Sequence, residues 1–410
     1  MLDKPIVANR AGSLMPLLFI VVFSFMAAFA LLLPSVMFFL ENLGASKALA
    51  TKILACYSLS QFFAGPLLGR LSDRLGRKIT LVTALMLALG AYLSLAALSP
   101  SIVSAFIGLA VAGTAAGASA VAFAAVTDLT EPQNRAKGMG IIGASIGLAF
   151  TVGPAVGALL SSVDAISATI SKPATASVVI LVVGLAAALF LPKKLGKPQA
   201  YKVNGGPEGN EEEQPALSSG RLAGFKKLIG HSVLMNIALM MFVFTIALAL
   251  MEPIMPYLIR DRYEWGPREM GYLFGFAGLI VVLVQGGLVG RLAVKFGERK
   301  LLATGVSLMG IGLLIMLFAP ASWFVVLGLG FTSTGGALFN TSALALASQN
   351  AESKERGLVL GAVQSMQSLG RSGGPLVAGN LYQLSAILPL AIGVAAMAIL
   401  LMCLRFLSRR

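Results

Sequence analysis

Residues 69–78 read Gly69-Arg70-Leu71-Ser72-Asp73-Arg74-Leu75-Gly76-Arg77-Lys78. They form a short turn, punctuated by glycine, that carries one acid among four bases. Glycine lets backbones approach closely, and an acid so placed can face the positive N-terminus of a neighbouring helix. A basic topogenic turn would account for Arg74, Arg77 and Lys78, but not for the spacing of Gly69, Asp73 and Gly76 among them. On either side lie apolar runs near 46–68 and 79–98. Each is about the 20 residues that a helix needs to cross hydrocarbon. Working outward, similar runs occur near 14–40, 102–126, 138–160 and 175–191, then near 232–259, 269–289, 301–318, 322–346, 357–381 and 384–407. None shows the apolar/polar alternation of a membrane barrel strand. Lipid then leaves the helix as the way to satisfy the backbone. The expected fold is an all-α integral membrane protein with twelve transmembrane helices.

Composition points the same way. Of 410 residues, 57% are hydrophobic and 12% charged, where soluble domains run about 25% charged. The mean hydropathy is +0.87. A formal net charge of +14 suggests nucleic acid only until the charges are located. Assigning the loops alternately to two sides leaves Lys47, Lys52, Lys172, Arg260, Arg262 and Arg268 on one side and Arg371 within a span. Every other base falls on the opposite side, which the positive-inside rule makes cytoplasmic, together with both termini. No nucleic-acid partner is expected. The run Leu14–Leu40 is too long for a signal-peptide core, so it reads as a retained first span. Cys56 and Cys403 lie in apolar runs and His231 has no ligating neighbour, so neither a metal site nor a cofactor is expected.

A polar segment, roughly 193–229, has the composition of a flexible linker, with Gly205-Gly206-Pro207, Glu211-Glu212-Glu213 and Ser218-Ser219-Gly220. It divides the chain into 1–192 and 230–410, six spans each. The halves read as duplicates. Phe25 precedes Pro34 by nine residues, as Phe244 precedes Pro253. Gly69 and Gly76 are seven apart, as are Gly290 and Gly297. Arg135 precedes Gly153-Pro154 by 18, as Arg356 precedes Gly374-Pro375.

The 69–78 turn resembles the loop signature of the major facilitator superfamily, and span count, halves and central loop extend the likeness over the whole chain. In the second copy, Gly290 to Lys300, Val294 replaces the acid. The resemblance implies two pseudo-symmetric six-helix bundles, with Asp73 helping to lock the halves together on the cytoplasmic side and Asp128 and Arg135 as its charged neighbours. The fifth span holds Gly143, Gly147, Gly153, Pro154 and Gly157. These form small-xxx-small pairs suited to close helix packing in lipid, and Pro154 predicts a kink. The run also resembles the Gly–Pro signature of the antiporter branch, with Ala158 where a second glycine is common. The fourth span departs from drug antiporters, because Leu109 stands where they place an arginine.

An ionised side chain at the bilayer centre costs about 2.5–3.5 kcal/mol, so its presence points to function. Two such residues stand out, Glu252 directly before Pro253 and Arg371 just before Gly373-Gly374-Pro375. Burial disfavours the charged form of a carboxyl, so Glu252 can exchange a proton as access alternates; the bland reading is an acid at the outer interface. Pro253 predicts local unwinding. Arg371 can pair with Glu252, bind an anionic group, or hold helices through carbonyls. The stretch Phe242–Tyr257 resembles the seventh span of bacterial multidrug pumps, and Gln364–Arg371 the eleventh span of tetracycline-type pumps. Gln61, Asn236, Phe244, Met251, Asn340, Gln364 and Gln367 are weaker candidates for a substrate cavity.

The expected function is secondary active transport, a proton-coupled antiporter exporting amphipathic or lipophilic molecules from the inner membrane of a bacterium. Its expected partners are a small-molecule substrate, protons and the bilayer, and it is expected to act as a monomer. A metabolite, siderophore or lipid exporter, or a proton-linked importer, would share the fold. No G-x-x-x-x-G-K-[ST] loop is present to bind a nucleotide. An intramembrane enzyme would need a nucleophile–base set or metal ligands, which one histidine and two isolated cysteines do not supply.

Overall fold

A computed structural model describes residues 4–97, 101–130, 135–192, 195, 228–352 and 356–407. Among the described residues, its long helices group into twelve rods. The first half contains α1 (Lys4–Ala30, resuming as Leu33–Asn42), α2 (Lys47–Leu75), α3 (Arg77–Ala97), α4 (Ile102–Ala116 and Ser119–Leu129), α5 (Arg135–Leu160) and α6 (Ser171–Phe190). The second contains α7 (Ser232–Met251 and Met255–Tyr263), α8 (Pro267–Leu283, a π-turn Val284–Leu288, then Val289–Phe296), α9 (Glu298–Phe318), α10 (Ser322–Gln349), α11 (Arg356–Leu384) and α12 (Leu388–Leu407). Nearly all of the expected linker lies outside the described residues.

Nine rods are long and apolar enough, among the described residues, to cross a membrane. Of the other three, α12 is short in its described apolar part, Leu388–Leu404. The remaining two, α2 and α11, carry polar side chains along their lengths, such as Gln61 on α2 and Gln364, Gln367 and Arg371 on α11. Hydropathy locates the lipid-facing centre of each rod and misses its ends: α2 runs on to Leu75, past the expected 68, and α12 begins at Leu388, not 384. Backbone hydrogen bonding continues into the polar zone, where sequence hydropathy has already fallen.

The interruptions have local causes. In α7 the helix stops at Met251 and restarts at Met255, because Pro253 has no N–H to donate. Pro34 occupies the first turn of the restart in α1, and Pro256 has that place in α7. The two rods therefore match through Pro256, three residues past the proline that sequence spacing suggests. By contrast, α5 continues as one helix through Pro154.

Packing shows the internal symmetry. In the first half α1 packs on α5 and α6, α3 on α4 and α6, and α2 on α4. In the second, α7 packs on α11 and α12, α9 on α10 and α12, and α8 on α10. Moving each first-half rod six places along the chain converts the first set into the second. The halves meet along two main seams, α5 with α8 and α2 with α11, and these exchange under the same operation. Each half has an aromatic centre: Phe29 stacks on Tyr57 at 3.8 Å, and Phe244 on Phe339 at 3.9 Å.

Candidate functional site: the gap between the halves

Among the described residues, the seams are tight at one end and open at the glycines of the other. Near the end that holds the α1 restart, a Cβ on Gly271 of α8 would lie 2.0 Å from the Ala158 Cβ of α5, and one on Gly278 would lie 2.5 Å from the Thr151 Cα. In the other seam, a Cβ on Gly379 of α11 would lie 2.3 Å from the Thr51 Oγ1 of α2. Only glycine allows backbones so close. Gly271 thus supplies the small surface that Ala158 does not. Toward the end that bears the 69–78 turn, a Cβ on Gly143 or Gly147 of α5, Gly286 or Gly287 of α8, or Gly361 of α11 would meet nothing within 4 Å. The halves form a V, sealed at the far end and parted at the basic end. Gly153 and Gly157 serve a different contact, packing on Ala30 and Leu31 at the break of α1.

Helix phase settles which way Arg371 points. Gln364, Ser368, Arg371, Pro375 and Gly379 recur at three- and four-residue spacing and share one face of α11. The far part of that face, at Gly379, packs on α2 of the other half. Its lower part, with Arg371 and Gln364, therefore looks into the gap. Arg371 Nη2 stands 3.7 Å from Glu252 Oε1, and their side chains are 47% and 41% exposed. That distance makes an ion pair rather than a hydrogen bond. Glu252 is the first residue after the main segment of α7, where the helix opens. The two ionised groups thus sit together on the second-half wall of the gap.

The weaker cavity candidates separate. Gln364 is exposed, and Gln367 Nε2 donates to Asn340 Oδ1 at 3.4 Å, linking α11 to α10. Gln61 and Asn236 are half-buried. Phe244 and Met251 are 3% and 4% exposed and belong to the packed centre of the second half. Neither lines the gap in this conformation.

In the 69–78 turn, Gly76 ends α2 with φ +95°, a conformation that only glycine takes easily, and Gly297 repeats it at +81°. Arg77 is the hub: it reaches Ser72 Oγ and Asp73 Oδ1, each at 2.5 Å, and Asp128 Oδ2 at 3.0 Å. Lys78 Nζ donates to the Leu189 and Leu191 carbonyls that end α6, both at 2.5 Å. Gly69 is buried and Arg74 exposed. The turn therefore ties α2, α3, α4 and α6 of the first half to one another, and among the described residues Asp73 pairs with Arg77. The Arg135 side chain lies outside the described residues. In the second copy, Val294 is 92% exposed, and the contact nearby is Gln349 Nε2 donating to Glu298 at 2.9 Å.

Among the described residues, the ion pairs between the halves are at the far end, on residues that sequence reasoning missed. Arg260 of α7 makes two hydrogen bonds to the Glu41 carboxylate of α1 and also bonds Asp261. Lys47 of α2 reaches Asp261 Oδ2 at 2.6 Å, and the Tyr382 hydroxyl of α11 donates to the same oxygen at 3.0 Å. One signal was available: Lys47 and Arg260 are among the few bases on the sparsely basic side, each with an acid nearby.

A family model described as the Major Facilitator Superfamily matches residues 18–293 and 286–410. The chain belongs to that superfamily. Among similar facilitators, the tetracycline resistance protein of class C from Escherichia coli is 26% identical over 336 residues, 82% of this chain and 80% of its own length. Mouse major facilitator superfamily domain-containing protein 10 is 28% identical over 348 residues, 81% of this chain and 72% of its own. Among solved facilitators, the human organic anion transporter MFSD10 aligns with a TM-score of 0.68 at 21% identity, covering 96% of this chain and 99% of that one. The nucleoside transporter NupG aligns at 0.74 and 13%, covering 97% and 99%. These likenesses show the facilitator fold. Within it, Leu109 of α4 is 1% exposed and packs in the first half, so that position places no side chain in the gap.

Proposed function

We propose that this facilitator is a proton-coupled exporter of amphipathic or lipophilic small molecules, working by alternating closure of the two ends of the gap. The observation that carries the reading is the Glu252–Arg371 pair, held 3.7 Å apart on the wall of a gap that is sealed at one end and open at the other. The basic end is read as cytoplasmic from the positive-inside bias, so the V is the cytoplasm-facing state and the cargo enters from that side. Glu252 is the coupling group. A proton arriving from the far side when that end is open neutralises it and releases Arg371. A cargo binding from the cytoplasm restores the ionised pair as the proton leaves. Tetracycline resistance proteins among the relatives support a drug-like cargo. The inward electrical gradient supplies about 2.3 kcal/mol per charge per 100 mV.

A second reading is favoured by Arg371 and by the likeness to a protein titled an organic anion transporter: the cargo carries a carboxylate or other anionic group that meets the guanidinium directly.

The test uses purified protein in inverted proteoliposomes. A cargo is first selected by thermal stabilisation from tetracycline, lipophilic cations and amphipathic anions. Wild type is expected to accumulate it on an imposed proton gradient. Glu252→Gln is expected to lose gradient-driven uptake and keep gradient-free exchange. Unchanged gradient-driven uptake in Glu252→Gln would remove this carboxyl from the mechanism, and selection of anions alone would establish the second reading.

A further inference from the structure

We infer that the far-end seal contains a recognition site for a primary ammonium group, built by the second half and plugged by Lys47 of the first half while the halves are closed there. Lys47 Nζ lies 2.6 Å from Asp261 Oδ2, 4.8 Å from the centroid of the Tyr382 ring and 5.4 Å from that of Tyr257. Two ring faces and a carboxylate around one ammonium are the chemistry by which organic amines are bound: the rings attract the cation through their quadrupoles, and the carboxylate takes a charge-assisted hydrogen bond.

The receiving groups all come from the second half, Tyr257 and Asp261 from α7 and Tyr382 from α11, and the ammonium alone comes from α2. The receivers are also held by contacts other than Lys47. Arg260 donates to Asp261 Oδ1 from Nε at 3.2 Å and Nη2 at 3.0 Å, which leaves Oδ2 directed at the ammonium. The Tyr382 hydroxyl bonds Oδ2 from the other side at 3.0 Å, and the Tyr257 and Tyr382 rings lie 6.1 Å apart. Tyr257 is fully buried and Tyr382 nearly so.

When this end opens, Lys47 withdraws with α2 and Glu41 with α1. Arg260 stays on Asp261, so the exposed cluster on the second half is close to neutral and does not attract cations at long range. Selectivity comes from contact: an N–H donor to Oδ2 and a cation over two rings. A primary amine with an alkyl tail repeats what Lys47 presents, an ammonium on four methylenes. A quaternary ammonium keeps the ring contacts and loses the hydrogen bond, and an alcohol keeps the hydrogen bond and loses the cation. The site stands at the mouth through which the exporter proposed above would discharge its cargo, and it rests on that reading only for the moment at which Lys47 leaves.

The experiment is chemical rescue of the purified full chain. Lys47→Ala is expected to melt below wild type, and n-butylamine, cationic at pH 7, is expected to restore its melting temperature saturably. Its half-effective concentration is expected to be about tenfold below that of n-butanol, given the ring contacts and the charged hydrogen bond. Wild type, with its plug in place, gains no such stabilisation. Lys47→Ala combined with Asp261→Asn is expected to lose most of the advantage of amine over alcohol, keeping only what the two rings supply. Equal action of amine and alcohol on Lys47→Ala would overturn the proposal, as would equal rescue with Asp261→Asn present. If Lys47→Ala does not fold, Lys47→Met keeps the stem and is read with methylamine against methanol by the same criteria. Melting reports binding whether or not the protein exports anything, so failure of the export reading leaves this result standing.

Discussion

Neutralising Glu41 should open the far end by about an order of magnitude. Glu41 and Arg260 come from different halves, so their bonds exist only while that end is closed. Arg260 engages the carboxylate through Nη1 to Oε2 and through Nη2 to Oε1, the latter at 3.1 Å. The side chains are 25% and 26% exposed. A pair so placed lies between exposed ones, worth about 0.2–1 kcal/mol, and fully buried ones, where removing a partner costs about 3–5 kcal/mol. Arg260 keeps Asp261, so no orphaned charge adds to the loss. About 1.5 kcal/mol of closed-state stability is therefore at stake, roughly tenfold in the closed-to-open ratio. Thr51 is fully buried beneath Gly379 in the closed seam, so Thr51→Cys, in a Cys56→Ser, Cys403→Ser background, reports opening. Its labelling by an impermeant maleimide from the far side should quicken about tenfold when Glu41→Gln is added. In an Arg260→Gln background the same change should matter less than about twofold, because the partner is already gone. An unchanged labelling rate, or an equal effect in both backgrounds, would refute the latch.

Gly271→Val should push α8 off Ala158, since even a Cβ there would lie 2.0 Å from the Ala158 Cβ; faster far-side labelling of Thr51→Cys checks it, and an unchanged rate counts against the tight seam. Gly76→Ala should cost about 1 kcal/mol from strain at φ +95°, read as a lower melting temperature in detergent, although the space around it is open. Asp128→Asn should cost about 1–2 kcal/mol, because it takes the charge from the 3.0 Å bond to a nearly buried Arg77; Asp73→Asn, at a half-exposed carboxylate, should cost less, and the order of the two melting temperatures is the test.

The rods were legible because about 20 apolar residues in lipid leave the backbone little choice, and the 69–78 turn and the Gly–Pro run pointed to the superfamily. The break in α7 was legible from Pro253. Sequence could not tell which side of a wholly apolar rod faces its neighbours, and so Phe244 and Met251 were read as possible cavity residues although both are packed inside the second half. The far-end bridge was hidden for a different reason. Glu41 and Arg260 lie 219 residues apart, and each taken singly looks like an ordinary interfacial charge. What brings them together is the meeting of two restarts, a tertiary relation with no local periodicity. Arg371 was the opposite case: its charge gave it away, and only the contact of Gly379 with α2 fixed its direction.

The glycines left free along α5 and α8 have one more consequence. Below Thr151 and Gly278 these rods diverge at Gly143, Gly147, Gly286 and Gly287, and in the proposed exporter that slit would open toward the acyl chains. For the proposed exporter, a greasy solute dissolved in the nearer leaflet meets that slit before it meets water. Its supply is then set by how strongly it partitions into the membrane, and two compounds equally dilute in the cytosol would be extruded at rates that follow their oil solubility.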